Sequence, residues 1–169
     1  MGSSSPPERI RPEARLQCDE MLASLARWLR AAGHDTALAP AGTPDAAILA
    51  QCRDDGRRLL TRDRSLAGNS DGVEVHLLGS DRLDGQAQEL ARLGLDWCRA
   101  PFTRCMADNS PLVAAAPAQA VLAPSPFADR PGDIRFCPTC ERLYWPGGHV
   151  RRMLARLGGW RNSTPGTAS

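Results

Sequence analysis

Four short apolar runs in the first half of this 169-residue chain each end at, or lead into, an acidic residue. "RLQC" (15–18) is followed by Asp19-Glu20. "TALA" (36–39) leads into a helix start that carries Asp45. "RRLLT" (57–61) delivers Asp63, and "VEVHLLG" (73–79) delivers Asp81. Carboxylates gathered in one place repel one another unless a cation sits among them. Hard oxygen ligands in this number suit Mg2+ or Mn2+. Two such ions can activate water against a phosphodiester and steady the leaving oxygen. Each acid also has an ordinary explanation. Asp45 follows Thr43-Pro44, where a helix dipole favours a negative charge. Asp19 and Asp81 could cap helices, and Asp63 could close an Asx-turn.

A second set of residues carries metal chemistry of a different kind. "CPTC" (137–140) supplies two thiolates from one turn, and a closed zinc site needs four ligands. The nearest second pair is in "RCMADN", where Cys105 is followed three positions later by Asp108 rather than by another cysteine. The pattern is therefore C-x-x-D…C-x-x-C. Carboxylate oxygen can ligate zinc, so a site of Cys105, Asp108, Cys137 and Cys140 is the first expectation. His149 or Cys98 could take the fourth place instead. Cys18, Cys52 and Cys98 read as core residues.

The elements that must position these groups alternate between strand-like and helix-like pieces. Helical spacing of Met21, Leu22, Leu25, Ala26 and Leu29 predicts a helix over 20–33, stopped by Gly33. A Thr43 cap with Pro44 at the first position predicts a second over 43–56, and a third covers 82–94. Strands separated by helices imply crossovers and a mainly parallel sheet, with ligands at the carboxyl ends of the strands. Beyond Asp96 the chain turns rich in Pro and Ala, then gives the cysteine turn and a helix over about 148–157. The expected organisation is a disordered leader (1–15), an α/β domain (16–95), a small module (98–157) and a flexible tail (158–169).

Every basic residue is arginine. Residues 1–98 carry 12 Arg against 15 acids, a net of −3, and residues 99–169 carry 9 against 4, a net of +5. An acidic half joined to a basic half permits a nucleic-acid partner. No apolar run is long enough for a membrane span, and no signal peptide opens the chain. The cytoplasm is the default location, where disulfides are rare.

Four segments in this order, "CDEMLASLARWLRAAGHDT", "LLTRD", "TRCMADNSPL" and "CPTCERLYWPGGH", closely resemble the Mut-seven C-terminal ribonuclease domain family. The resemblance spans roughly residues 16–157. It implies a PIN-like α/β nuclease core followed by a zinc ribbon, and a metal-dependent ribonuclease. It places the family's acidic positions on Asp19, Asp45, Asp63 and Asp81, and its ribbon cysteines on Cys105, Cys137 and Cys140. Where the family pattern has a second cysteine, this chain has Asp108.

The substrate this implies is RNA. From Arg142 to Arg161 the chain has five arginines and no acid. Arg152 and Arg156 share a helix face, and Tyr144 and Trp145 could stack on bases, although Trp145 also suits a core. His149 could contact the scissile phosphate. Arg27 and Arg30 could flank the acidic site and hold substrate, or be ordinary surface charges. The competing expectation is a non-catalytic RNA-binding module that uses only the basic ribbon region.

Overall fold

The computed structural model describes residues 9–70 and 72–162. The predicted leader therefore lies outside the described residues for 1–8, and the predicted tail for 163–169. Four strands form the main sheet: β1 (Arg15–Cys18), β2 (Thr36–Leu38), β3 (Arg57–Thr61) and β4 (Val75–Leu77). All pairings are parallel, in the order β2-β1-β3-β4. Between them run a 3-10 turn (Glu20–Leu22) continuing into α1 (Ala23–Ala31), then α2 (Asp45–Asp55) and α3 (Arg64–Gly68). α4 (Leu83–Arg92) follows β4. This is the mainly parallel α/β architecture that the alternating pattern predicts.

Alternation along the strands builds a core on each face. Leu16, Cys18 and Leu60 pack on one side against Leu25, Ala26 and Leu29 of α1 and Ala87 and Leu90 of α4. Leu59 points to the other, against Ile48, Leu49 and Cys52 of α2 and Leu66 of α3. Truncating a fully buried side chain such as Leu60 to alanine would cost about 2–5 kcal/mol.

The connection after α4 returns beside α1, where Ala100 and Phe102 donate their N–H groups to the Ala32 and Ala31 carbonyls. Gly33, at φ 93°, allows this approach, because a Cβ there would collide with the Ala100 backbone. β5 (Val113–Ala114), β6 (Arg135–Phe136) and β7 (Leu143–Tyr144) then form a small antiparallel sheet. A short helix, α5 (Pro117–Ala120), lies between β5 and β6, and α6 (Gly148–Asn162) closes the fold.

The boundaries depart from expectation at both ends. Ile10 is buried in the first core and donates its N–H to the Leu93 carbonyl at 2.7 Å, so ordered chain begins before residue 16. α6 runs on to Asn162, and Trp160 packs with Trp28 and Trp97 in that same core. Residues 158–162 are therefore structural rather than a tail. The apolar surface of the first domain is completed by residues from the far end of the chain.

Candidate functional site

The order β2-β1-β3-β4 has its switch point between β1 and β3. The chain leaves β1 towards β2 and then crosses back to β3. In open parallel sheets the crevice beyond the carboxyl ends at such a point is where ligands bind. Asp19 follows β1 there and Asp63 follows β3. Together with Glu20, Asp45, Met21 and Leu66 they line a cleft of about 110 Å³.

Each carboxylate is held by local structure. Asp19 caps the 3-10 turn, accepting from the Met21 N–H at 3.1 Å, and also accepts the Thr61 hydroxyl in a short hydrogen bond. It is only 5% exposed. Burial pushes its carboxyl above the ordinary range, against hydrogen bonds from Thr61 and from the backbone of Arg62, Met21 and Leu22. Asp63 caps α3, accepting from Ser65 and Leu66 N–H groups at 2.7 and 3.2 Å. The Thr61 hydroxyl also accepts the Asp63 N–H at 2.9 Å, so one side chain ties both acids to the end of β3. Asp45 is the first residue of α2. The cap of that helix is Pro44 rather than the expected Thr43, whose hydroxyl turns back to the Pro40 carbonyl. Glu20 accepts from the Gly42 N–H and so fastens the loop before α2 to the start of α1.

Asp81 does not join this cleft. It lies exposed after β4, an edge strand one position beyond β3. Thr61 is the residue that sequence reasoning missed. Its position two residues before Asp63, at the end of a buried strand, was the available signal.

The second site is more compact. Among the described residues, Cys105, Asp108, Cys137 and Cys140 form the only group of three or more ligand side chains whose donor atoms all lie within 4.8 Å of one another. The carboxylates that line the cleft, Asp19, Glu20, Asp45 and Asp63, do not form such a group. In the cluster, Cys105 Sγ lies 3.5 Å from Cys140 Sγ, and Cys137 Sγ lies 3.3 Å from an Asp108 oxygen. Bonds of about 2.3 Å to a tetrahedral ion put sulfur ligands about 3.8 Å apart, so the donor set fits a metal ion.

Two equivalent turns build it. Asn109 N–H returns to the Cys105 carbonyl at 3.0 Å, and Glu141 N–H returns to the Cys137 carbonyl at 2.9 Å. Both closing residues have positive φ, 71° at Asn109 and 61° at Glu141. Asp108 therefore occupies in the first turn the place Cys140 holds in the second. Burial would raise its carboxyl. Hydrogen bonds from Cys140, Ser110 and Cys137 outweigh that and hold it well below the usual carboxylate range. Neither His149 nor Cys98 is part of the cluster.

Arginine and asparagine fasten this cluster to the α/β domain. Arg30, expected to meet substrate, is 6% exposed and donates to the Thr36, Met106 and Ala107 carbonyls. Asn109 bridges the Thr36 N–H and the Asp35 carboxylate. Arg156 is also committed elsewhere. Its guanidinium lies over the Trp28 and Trp160 rings at 5.1 and 5.0 Å and pairs with Asp84 at 2.9 Å. Arg152 is exposed on α6. Of the residues expected to contact substrate, Arg27, Tyr144 and His149 share a second cleft, between α1 and the cysteine module.

A parallel α/β domain with an acidic cleft at its switch point, and a cluster of three cysteines and an aspartate clamped beside it, is the class that fold and site define. A family model for the Mut7-C RNAse domain matches residues 14–157, and the chain belongs to that family. Membership points to a ribonuclease-type activity and to RNA as the substrate class. No curated protein and no solved structure matches the chain at a significant level. Among the described residues, no helix is long and apolar enough to cross a membrane.

Proposed function

We propose that this protein is a metal-dependent ribonuclease that hydrolyses RNA phosphodiester bonds at the cleft lined by Asp19, Asp45 and Asp63. The observation that carries this reading is their origin. Asp19 and Asp63, from the ends of two adjacent parallel strands, and Asp45, from the start of α2, line one cleft at the switch point of the sheet, in a chain of an RNAse family. A Mg2+ or Mn2+ ion held there would supply Lewis acidity and lower the pKa of attacking water. Asp19 and Asp63 are oriented in advance by Thr61 and by the backbone N–H groups around them. Asp45 comes from the start of α2. Burial of Asp19 disfavours a bare negative charge there, which a cation would offset. Asp81 has no role in this arrangement.

The cysteine cluster takes Zn2+ in the same reading, since three thiolates and one carboxylate suit that ion. Its role is structural, holding the module to the domain. Free thiols at all six cysteines suit a reducing compartment, and we assign the protein to the cytoplasm.

The test is cleavage of single-stranded RNA by the full chain with and without Mn2+, beside the variant Asp63→Asn. Asparagine still accepts at a helix N-cap, so α3 should persist. Cleavage that requires Mn2+ and falls by about two orders of magnitude or more in the variant supports the enzyme. RNA binding with no cleavage under any divalent ion would transfer the protein to the non-catalytic reading.

A further inference from the structure

The larger cleft, of about 420 Å³, lies between α1 and the cysteine module. Its walls divide by chemistry. Arg27 stands on α1, Arg142 precedes β7, and His149 is in the first turn of α6; all three are exposed. The side chains of Arg27, Arg142 and His149 make no ion pair or hydrogen bond to the described residues. This contrasts with Arg30, Arg57 and Arg156, which are engaged. The remaining lining includes Trp145, Tyr144, Leu143 and Val150. Trp145 is half-buried and lies against Gly147, where any Cβ would strike its ring. Tyr144 is fixed by its hydroxyl, 3.2 Å from both Cys105 Sγ and the Met106 nitrogen.

We propose that this cleft is a nucleotide subsite of the ribonuclease. It would take one unstacked nucleotide of a single-stranded RNA, with Arg27 and Arg142 on the flanking phosphates and the base against the Trp145 face. This deepens the ribonuclease reading and rests on it for the identity of the ligand. Three observations define the ligand class. Free guanidinium groups at a cleft mouth select phosphate. A ring held half-buried offers a π face that accepts any base. The recessed shape demands that the base leave its stack, which a duplex resists.

Position supports the assignment. Met21 of the acidic cleft lies in the 3-10 turn that continues into α1, and Arg27 of this cleft lies on α1; both side chains are exposed, although Leu22, Leu25 and Ala26 between them are buried. Met21 and Arg27 are six positions apart, about 9 Å along a helix axis. A strand whose nucleotide sits here can thus lie along α1 towards the carboxylates. Two carbonyls of the cleft wall, those of Met106 and Ala107, are already engaged by Arg30. The subsite sets strandedness and direction of approach.

The test measures binding of the full, zinc-loaded chain to a fluorescein-labelled eight-nucleotide RNA and to its duplex, by anisotropy across a salt series without added Mg2+ or Mn2+. The single strand should bind about tenfold or more tightly than the duplex. Arg27→Ala with Arg142→Ala should weaken single-strand binding about tenfold or more. The slope of log affinity against log salt should fall in magnitude by about 1.4, the value for two phosphates on a single strand. Arg92→Ala, a remote exposed arginine on α4, should change binding less than about twofold. Trp145→Leu should lose about tenfold with its zinc content retained. Equal binding of the duplex, or equal losses in Arg92→Ala and the double variant, would overturn the subsite. Asp63→Asn separates this proposal from catalysis. A variant that binds like the parent sustains the subsite whether or not the parent cleaves, and cleavage with the double variant unaffected rejects the subsite alone.

Discussion

Asp35 and Asn109, 74 positions apart, are joined by a 2.8 Å hydrogen bond across the seam between the α/β domain and the cysteine module. The same carboxylate takes Arg57 at 2.7 Å, Arg15 at 3.3 Å and Arg104 at 3.6 Å. Burial opposes its ionisation, but Arg57 and Asn109 outweigh this and hold the carboxyl down at about 2. A carboxyl depressed by folding stabilises the native state above its unfolded value, near pH 4. That contribution disappears as pH falls from about 4 through about 2. Acid unfolding followed by circular dichroism should therefore show a loss of stability in this window. Asp35→Asn should be less stable than the parent at neutral pH and show a flatter dependence between about pH 4 and pH 2. An unchanged acid limb would remove Asp35 from this role.

Thr61 is the hinge between two acids, donating to Asp19 and accepting from the Asp63 N–H. Thr61→Val keeps the shape of a buried strand residue and removes the hydroxyl. Cleavage should drop by about tenfold or more while the thermal midpoint moves little beyond the cost of one hydrogen bond, about 1 kcal/mol. Asp81→Asn, by contrast, should leave the rate within about twofold, since exposed changes away from a site are usually small. Rate measurements with the two variants side by side check both expectations.

Asp108 stands where the paired turn has Cys140. Asp108→Ala should lose zinc readily to a chelator, whereas Asp108→Cys should hold it more tightly than the parent, because thiolate is the softer ligand. Metal analysis after dialysis against graded chelator reads both. Equal retention by the alanine variant would exclude Asp108 as a ligand.

Arg156 lies over two indole rings and pairs with Asp84, which also accepts the Trp160 N–H at 2.9 Å. Removing the guanidinium should destabilise the fold by about 1–2 kcal/mol, at about 0.5–1 for each exposed cation–π contact. The salt dependence of RNA binding should not change. Calorimetry and the anisotropy series on Arg156→Ala separate a packing role from a phosphate contact.

Gln17 is buried in β1, and its Oε1 has no hydrogen-bond partner among the described residues. Its amide donates to the Cys18 carbonyl, which also accepts the Ala39 N–H and so would not be left bare. A buried polar atom without a partner costs about 1–3 kcal/mol. Gln17→Met, similar in shape, should unfold at higher denaturant concentration with an unchanged slope.

The parallel sheet was legible because strands and helices alternate with clear periods. β3 falls on the predicted residues 57–61, and α2 and α4 lie within their predicted spans. α3 was missed, since five residues leave too short a run for a helical period to show. The grouping of Asp19, Asp45 and Asp63 followed from parallel strand ends. Asp81 misled because a strand end also lies beside the edge, away from the switch point. Arg30 and Arg156 look like surface charges in the sequence. Their partners, Met106 and Ala107 for one and Asp84 for the other, lie more than 70 residues away. Local composition carries no trace of such distant contacts. The clamp at Asp35 and Asn109 was hidden for the same reason.

Leu157 and Trp160 fill the hollow between Leu25, Trp28 and Trp97. The nuclease-like half cannot finish its hydrophobic interior while the ribosome still holds residue 160. Translation order thus delays completion of the core around the acidic crevice's supporting helix until residues 157 and 160 have emerged, so a product terminated ahead of them would carry the carboxylates on an unfinished, aggregation-prone body.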